Sequence, residues 1–147
     1  MQIELRFTSF LVIAFAVMIA ASWSCSEVSD APGNFSEKRL RERITLVWSH
    51  FMKGDFEAHA SMLSERIQRS FRESEENRQY ALRMWKSILR EKPTFELHDL
   101  KITGQRARAK MRVSALEKDG SRSSNIQYDH WIFENGDWFL DDAGRTE

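Results

Sequence analysis

The sequence predicts a single α+β domain, in which helices come first and an antiparallel sheet follows. Up to Pro93 apolar residues recur at helical spacing, and after it they recur at every second position. Residues 106–116 alternate small or apolar side chains with basic ones, as a half-buried strand does. Asn135-Gly136 lies between two aromatic-rich runs and predicts a hairpin, because both central residues of a type I′ turn need φ > 0. Helices on one face of an antiparallel meander fit this order of elements.

The N-terminal residues are predicted to be a secretory signal rather than part of the fold. Residues 7–21 are nearly continuous apolar sequence, too short to span a bilayer comfortably, and small residues follow them. Cys25 stands directly after a small residue, a placement that resembles a bacterial lipoprotein signal, in which the cysteine becomes the lipidated first residue of the mature chain. Cleavage without lipid and an uncleaved anchor are the alternatives. We therefore expect a signal peptide at 1–24, a flexible tether at 25–35 and the folded domain at 36–147.

Location and composition together narrow the function classes. The signal predicts an exported protein of the cell envelope, held on the periplasmic or extracellular side of a membrane by a lipid anchor or leader at Cys25. The 147-residue chain has 22 basic and 22 acidic residues, and a net charge of zero argues against a nucleic-acid binder driven by bulk charge. Cys25 is the only cysteine, which excludes an intrachain disulfide and a thiolate metal site. No metal site and no cofactor are predicted. The four histidines show no i, i+4 spacing that would place two ligands on one helix face; they are His50, His59, His98 and His130.

The clearest predicted helix spans 36–53. Either Asn34 or Ser36 can cap its start, and Gly54 ends it. Asp55 then caps a second helix, because a carboxylate there accepts backbone N–H bonds at the positive helix end. The apolar stripe of the first helix is Leu40, Ile44, Val47, Trp48, Phe51 and Met52, and the inner side of the second is Phe56, Ala60 and Leu63.

A third helix is predicted from Ser74 to about Lys92, where Pro93 stops it. Between the second and third helices, residues 64–71 hold Ile67 and Phe71 among charged neighbours and are expected to be irregular or a short edge strand. The apolar stripe of the third helix is Ala81, Met84, Trp85, Ile88 and Leu89.

After Pro93 the strands are predicted at 95–102, at 106–116 and in the hairpin of 124–140. In the second of these, the residues expected on one face are Ala107, Ala109, Met111, Val113 and Ala115, and those on the other are Arg106, Arg108, Lys110, Arg112 and Ser114. The basic row is interpreted as a solvated face, balanced by acidic neighbours such as Glu96 or Asp129. The alternative is a surface for an acidic partner, an anionic head group or a phosphate-bearing ligand.

A set of motifs along the chain carries a family resemblance. They are, in chain order, Trp48-x-x-Phe51-x-x-Gly54-Asp55-Phe56, Met62-Leu63-Ser64, and a terminal Trp131…Gly136-x-Trp138-x-Leu140. With a third helix and four strands between them, they resemble the nuclear-transport-factor-2-like superfamily, also called the SnoaL-like or cystatin-like cone fold. The resemblance implies helices packed on a curved antiparallel sheet of about four to six strands around a cone-shaped cavity. It does not imply an activity, since the superfamily includes isomerase-like and dehydratase-like enzymes as well as binding domains.

Catalytic residues are only weakly indicated. The isomerase-like members of the superfamily use a tyrosine on the first helix, and this sequence has no tyrosine there. The remaining candidates are Tyr128, Asp129 and His130, on one strand. Neighbouring side chains on a strand point to opposite faces, so Asp129 and His130 cannot share a proton directly. Which of the two faces the cavity depends on the strand register.

A ligand pocket is the favoured site. The small residues Ala107, Ala109 and Ala115 either leave volume for a pocket or let the helices approach closely, and the sequence does not distinguish the two. The predicted pocket residues are Trp48, Trp85, Phe95, Met111 and Trp131.

The favoured function is a non-catalytic binding or interaction module for a small apolar ligand or an envelope protein. One alternative is a ketosteroid-isomerase-like or dehydratase-like enzyme that uses polar residues in the cone. The other is a structural dimerisation domain that forms a homodimer. A perturbed ionisable group in the cavity would favour the enzyme, an apolar lining would favour binding, and a filled cone with an exposed aromatic patch would favour dimerisation.

Overall fold

The computed structural model describes residues 36–145, so the predicted signal, the tether and Cys25 lie outside the described residues. This part of the chain forms one four-stranded antiparallel sheet in the order β1-β2-β3-β4, preceded by four helices. The helices are α1 (Glu37–Met52), α2 (Phe56–Ser61), α3 (Glu65–Glu73) and α4 (Glu75–Arg90). The strands are β1 (Thr94–Thr103), β2 (Arg106–Leu116), β3 (Arg122–Glu134) and β4 (Asp137–Arg145). The predicted α+β class is confirmed.

The helix boundaries follow the predicted capping chemistry. The Ser36 side chain accepts a hydrogen bond from Arg39 N, so of the two candidate caps Ser36 begins α1. Gly54 ends that helix at φ +72°, a conformation that glycine adopts without strain. Asp55 Oδ1 accepts from Ala58 N at 3.2 Å and begins α2 one residue later. The turn between α1 and α2 is therefore encoded by two adjacent residues.

The prediction for residues 64–71 was wrong, because this stretch is the helix α3. Ile67 and Phe71 are four residues apart and therefore lie on the same helix face, where both pack against the core. The contact with the sheet comes just before the helix. Leu63 forms a parallel bridge with Leu140, and Ser64 N donates to Leu140 O at 2.8 Å.

The sheet confirms the two strongest strand patterns. On β2 the predicted inner residues are all buried, whereas Arg106, Arg108 and Arg112 are exposed. The hairpin between β3 and β4 turns at Asn135 and Gly136, whose φ values are +51° and +82°. Both residues have the positive φ that a type I′ turn needs.

The register between β3 and β4 shifts on either side of His130, once between Tyr128 and His130 and again between His130 and Trp131. Irregularities of this kind bend and twist a strand locally. They occur where β3 passes the interior of the domain, so they help to set which side chains reach it.

Helix α1 forms the centre of the core. Leu40, Val47 and Phe51 are at most 2% exposed, and from the sheet Met111, Trp131 and Trp138 are equally inaccessible. Burying a side chain of this size stabilises a fold by about 1.5–3 kcal/mol. No helix within residues 36–145 is both long enough and apolar enough to cross a membrane.

Candidate functional site

The domain contains a cavity of about 550 Å³ between the helices and the inner face of the sheet. Its buried lining is mostly apolar and includes Trp48, Phe51 and Trp85. Three of its lining residues, Arg66, Tyr80 and Arg106, are exposed to solvent and therefore mark its mouth. The cavity thus has a buried aromatic interior and a polar, accessible edge.

The aromatic side chains hold one another in place. Trp48 stacks on Phe95 with ring centroids 4.0 Å apart and planes 10° from parallel. Phe51 meets Phe95 edge-on at 5.9 Å, and Phe71 meets Trp85 in the same way at 5.9 Å. Edge-to-face pairs at these distances are favourable arrangements of aromatic rings. The walls are consequently preformed.

His59 brings a polar group into this apolar lining. It lies on the short helix α2, is 3% exposed and lines the cavity. Its Nδ1 atom is 3.1 Å from Val47 O. A carbonyl oxygen can only accept, so Nδ1 carries the proton and Nε2 is the acceptor nitrogen of a neutral ring. Burial lowers the pKa of His59 to about 4, which keeps the ring neutral at pH 7.

Asp129 lies in the wall next to the cavity and is completely buried. Trp48 Nε1 donates to its Oδ2 at 3.1 Å. Gln127 Nε2 and Gly144 N donate to its Oδ1 at 3.1 and 3.3 Å. The carboxyl group therefore joins α1, β3 and β4 through three hydrogen bonds.

Burial raises the pKa of Asp129 to about 7, although the hydrogen bonds from Gly144, Gln127 and Trp48 act in the opposite direction. Removing a carboxylate from water disfavours its charged form, and here that effect is larger than the stabilisation by three donors. Asp142 adds a small further increase through its own negative charge.

At the mouth, α3 is tied to β4. Arg66 lies 3.2 Å from a carboxylate oxygen of Asp141 and also donates to its backbone carbonyl at 2.8 Å. Ser64 Oγ donates to the same carboxylate at 2.6 Å. Arg66 and Asp141 both line the cavity, so these contacts set the width of the opening between helix and strand.

The structure divides the predicted pocket residues into two groups. Trp48, Trp85 and Phe95 line the cavity. Met111 and Trp131 are 1% exposed residues of the core and are not among the lining residues. Trp131 lies across from Ala107 in the register, and Asp129 lies across from Ala109. None of the three alanines on β2 lines the cavity, and all three are buried in the core.

The three catalytic candidates on β3 occupy different environments. Asp129 faces the interior, whereas the ring of Tyr128 lies 4.8 Å from the guanidinium carbon of Arg108 on the other side of the sheet. His130 is half-buried, lines the cavity and lies opposite Asp142 in the register. Asp129 was also expected to balance the basic row of β2, and that expectation was wrong because its side chain is enclosed in the interior. Glu96 does approach the row, at 3.9 Å from Arg112.

His59 and Gln127 are site residues that the sequence analysis did not select. A signal for His59 exists: it lies three residues after Phe56 and four before Leu63, both assigned to the inner side of α2, so it shares their face. Gln127 shares a strand face with Asp129 and Trp131, but its position in the cavity depends on the register. Among residues 36–145, no cluster of three or more histidine, cysteine or acidic side chains is arranged to hold a metal ion.

No family model matches the chain, and no curated protein matches it either. Solved structures do match. A designed nuclear-transport-factor-2-like protein is 14% identical with a TM-score of 0.56, over 74% of this chain and 98% of that one. The domain has the nuclear-transport-factor-2-like fold.

Two further solved structures are similar to this nuclear-transport-factor-2-like domain. TsrD from Streptomyces laurentii is 20% identical with a TM-score of 0.51, over 71% of this chain and 86% of its own. A SEC-C motif containing protein from Rhodopseudomonas palustris is 10% identical with a TM-score of 0.52, over 68% of this chain and 73% of its own. Such a fold serves small binding domains and enzyme-like domains, so the choice between them depends on the cavity itself.

Proposed function

We propose that this domain binds a small, mostly apolar molecule in its cone cavity and does not transform it. The observation that carries the proposal is the open cavity of about 550 Å³ with preformed aromatic walls. Ligand pockets are typically clefts of about 300–1,000 Å³ with an apolar lining and a few polar groups. The buried lining residues here are aromatic or aliphatic apart from His59.

An acid–base enzyme is the second candidate, and the pKa of Asp129, about 7, favours it, because a general acid or base works best near the ambient pH. Two features argue for binding instead. Asp129 has no exposed surface and already accepts three hydrogen bonds, so a substrate in the cavity would not touch it. His59 does line the cavity, but a pKa of about 4 makes it a weak base at pH 7.

The location is part of the same proposal. The protein is exported, and a lipid at Cys25 holds it at the cell envelope, facing the periplasmic or extracellular side. The apolar run 7–21 and the small residue before Cys25 support this. An envelope protein or a second copy of the chain, forming a homodimer, is the alternative partner to a small molecule.

Ligand binding is tested by calorimetric titration of 2-methoxynaphthalene into the full chain in lipid nanodiscs, with empty nanodiscs as the blank. Nanodiscs replace detergent, because a detergent tail would compete for an apolar cavity. We expect saturable binding at one molecule per chain. Met84→Trp places an indole into the lining and should weaken binding at least tenfold, about 1.4 kcal/mol.

The matched control is Met52→Trp, since Met52 is 38% exposed on α1 and does not line the cavity. It should leave the affinity unchanged. Heat that grows in proportion to the probe without saturation, as for partition into lipid, would contradict the binding proposal.

Anchoring is tested separately by the intact mass of the protein extracted from membranes, beside the same measurement on Cys25→Ala. We expect a chain that begins at Cys25 and carries acyl mass, and loss of that mass in the variant. An unlipidated mature chain, or one that keeps residues 1–24, would refute the lipid anchor and leave the cavity proposal unaffected.

A further inference from the structure

Among residues 36–145, the buried part of the cavity offers one side chain that can accept a hydrogen bond. The buried lining residues are tryptophan, phenylalanine, leucine, alanine and valine, apart from His59. Indole nitrogens only donate, and aliphatic and phenyl groups do neither. His59 is therefore the side chain in the enclosed part of the cavity, among the described residues, that can accept a hydrogen bond.

The direction of that hydrogen bond is determined by the backbone. Val47 O lies 3.1 Å from Nδ1 and must receive its proton, so the lone pair remains on Nε2. No other hydrogen bond of the His59 side chain occurs within residues 36–145. Nε2 is not among the fully buried side-chain atoms that lack a partner, so a ligand donor that reaches it would gain a hydrogen bond in place of one to water.

The surroundings of His59 restrict the shape and charge of such a donor. The imidazole meets Trp85 edge-on at 4.9 Å and Phe51 edge-on at 5.2 Å, so a ligand group beside it also lies near aromatic rings. A carboxylate would place its lone pairs against that of Nε2. An ammonium group would lose its hydration without a counter-charge among the buried lining residues.

We infer that the ligand is an uncharged, ring-containing molecule with a hydroxyl or N–H group, and that His59 Nε2 selects it by accepting that hydrogen bond. This inference rests on the proposed function, since it names the ligand class of the same cavity. The rings of the ligand lie against the aromatic walls, and its donor reaches α2. His59 is then the specificity-determining residue of the site.

The test compares two uncharged probes that differ at the donor, 2-naphthol and 2-methoxynaphthalene, on the full chain in nanodiscs with empty nanodiscs as the blank. We expect 2-naphthol to bind about tenfold more tightly, the size expected for one additional hydrogen bond. His59→Asn should remove this preference, because the asparagine amide can still donate to Val47 O but has no group at the position of Nε2. His98→Asn, on β1 and outside the lining, is the matched control and should keep the preference.

A second measurement needs no substitution. The ¹⁵N chemical shift of His59 Nε2 should change on addition of 2-naphthol, because the lone pair of this nitrogen then accepts a hydrogen bond. It should stay constant with 2-methoxynaphthalene, which has no donor. Equal affinities for the two probes, with no shift at Nε2, would overturn this inference and leave ligand binding intact. Absence of saturable binding of either probe would overturn both.

Discussion

Two walls of the cone each hold a buried ionisable side chain, and they treat it in opposite ways. On the sheet side, Asp129 is enclosed by donors from three elements and has no surface of its own. On the helix side, His59 lines the cavity and makes one hydrogen bond, from Nδ1 to a backbone carbonyl, which leaves Nε2 as an acceptor. Burial suppresses the charge on both, raising the pKa of Asp129 to about 7 and lowering that of His59 to about 4.

The comparison separates a perturbed pKa from a functional role. Strongly shifted groups occur at active sites, but structural networks shift them as well. Asp129 has the shift and the network, and it lacks access. His59 has access and a free acceptor, and it lacks basicity. We therefore expect Asp129 to act on the stability of the wall and His59 to act on the choice of ligand.

The largest effect is expected from Asp129→Leu, which leaves three donors without an acceptor. Each unsatisfied buried group costs about 1–3 kcal/mol, so the free energy of unfolding should fall by at least about 3 kcal/mol. His59→Phe keeps a ring in place and loses one hydrogen bond, for which about 1–2 kcal/mol is expected. Urea unfolding followed by tryptophan fluorescence gives both values, and equal losses would remove the distinction between the two walls.

A smaller effect on the free energy of unfolding, about 1.4 kcal/mol per pH unit for each group, is expected because Asp129 and His59 change stability with pH in opposite directions. The native pKa of Asp129 is raised from 3.8 to about 7, so its contribution is full below about pH 4 and is lost as the pH rises through 7. The native pKa of His59 is lowered from 6.5 to about 4, so its contribution is full above pH 6.5 and is lost as the pH falls through 4. Between pH 4 and 6.5 the two slopes cancel.

A variant that removes one of the two groups should show the pH dependence of stability that belongs to the other. Relative to the parent chain, His59→Phe should lose stability as the pH rises from 4 to 6.5, and Asp129→Asn should gain stability over the same interval. Urea midpoints measured at half-unit steps of pH provide the comparison. Parallel profiles for the parent and both variants would mean that neither group titrates as its burial requires.

The smallest effect is expected from Gln127→Met, at the residue that belongs to both regions. Gln127 lines the cavity and donates to Asp129 Oδ1. Losing this bond should cost about 0.5–1.5 kcal/mol in unfolding free energy, since Gly144 N still serves the same oxygen. The hydroxyl preference at His59 should not change. A change in that preference, measured with the two naphthalene probes, would show that the walls are coupled.

Local chemistry accounts for the parts of the fold that the sequence predicted correctly. The Asn135-Gly136 turn, the Gly54-Asp55 junction and the alternation of β2 each depend on neighbouring residues only. Helix α3 was missed because charged residues surround Ile67 and Phe71, and their four-residue spacing was given less weight than that composition.

The site depends on longer-range information. The face of β3 that carries Asp129 is set by pairing with β2 and by two register shifts against β4, neither of which leaves a local signal. Trp48 was predicted to line a pocket, but its hydrogen bond to Asp129 joins residues 81 positions apart. His59 could have been found from its helix face, and was passed over because it was considered only as a metal ligand.

The placement of its tryptophans gives the domain two groups of fluorescent side chains, one at the cavity and one away from it. Trp48 and Trp85 border the cavity, while Trp131 and Trp138 are buried outside its lining. A guest molecule would alter the emission of the first pair by contact and leave the second pair as a constant background. Because unfolding exposes all four, occupancy and denaturation have different spectral signatures in the same unlabelled sample.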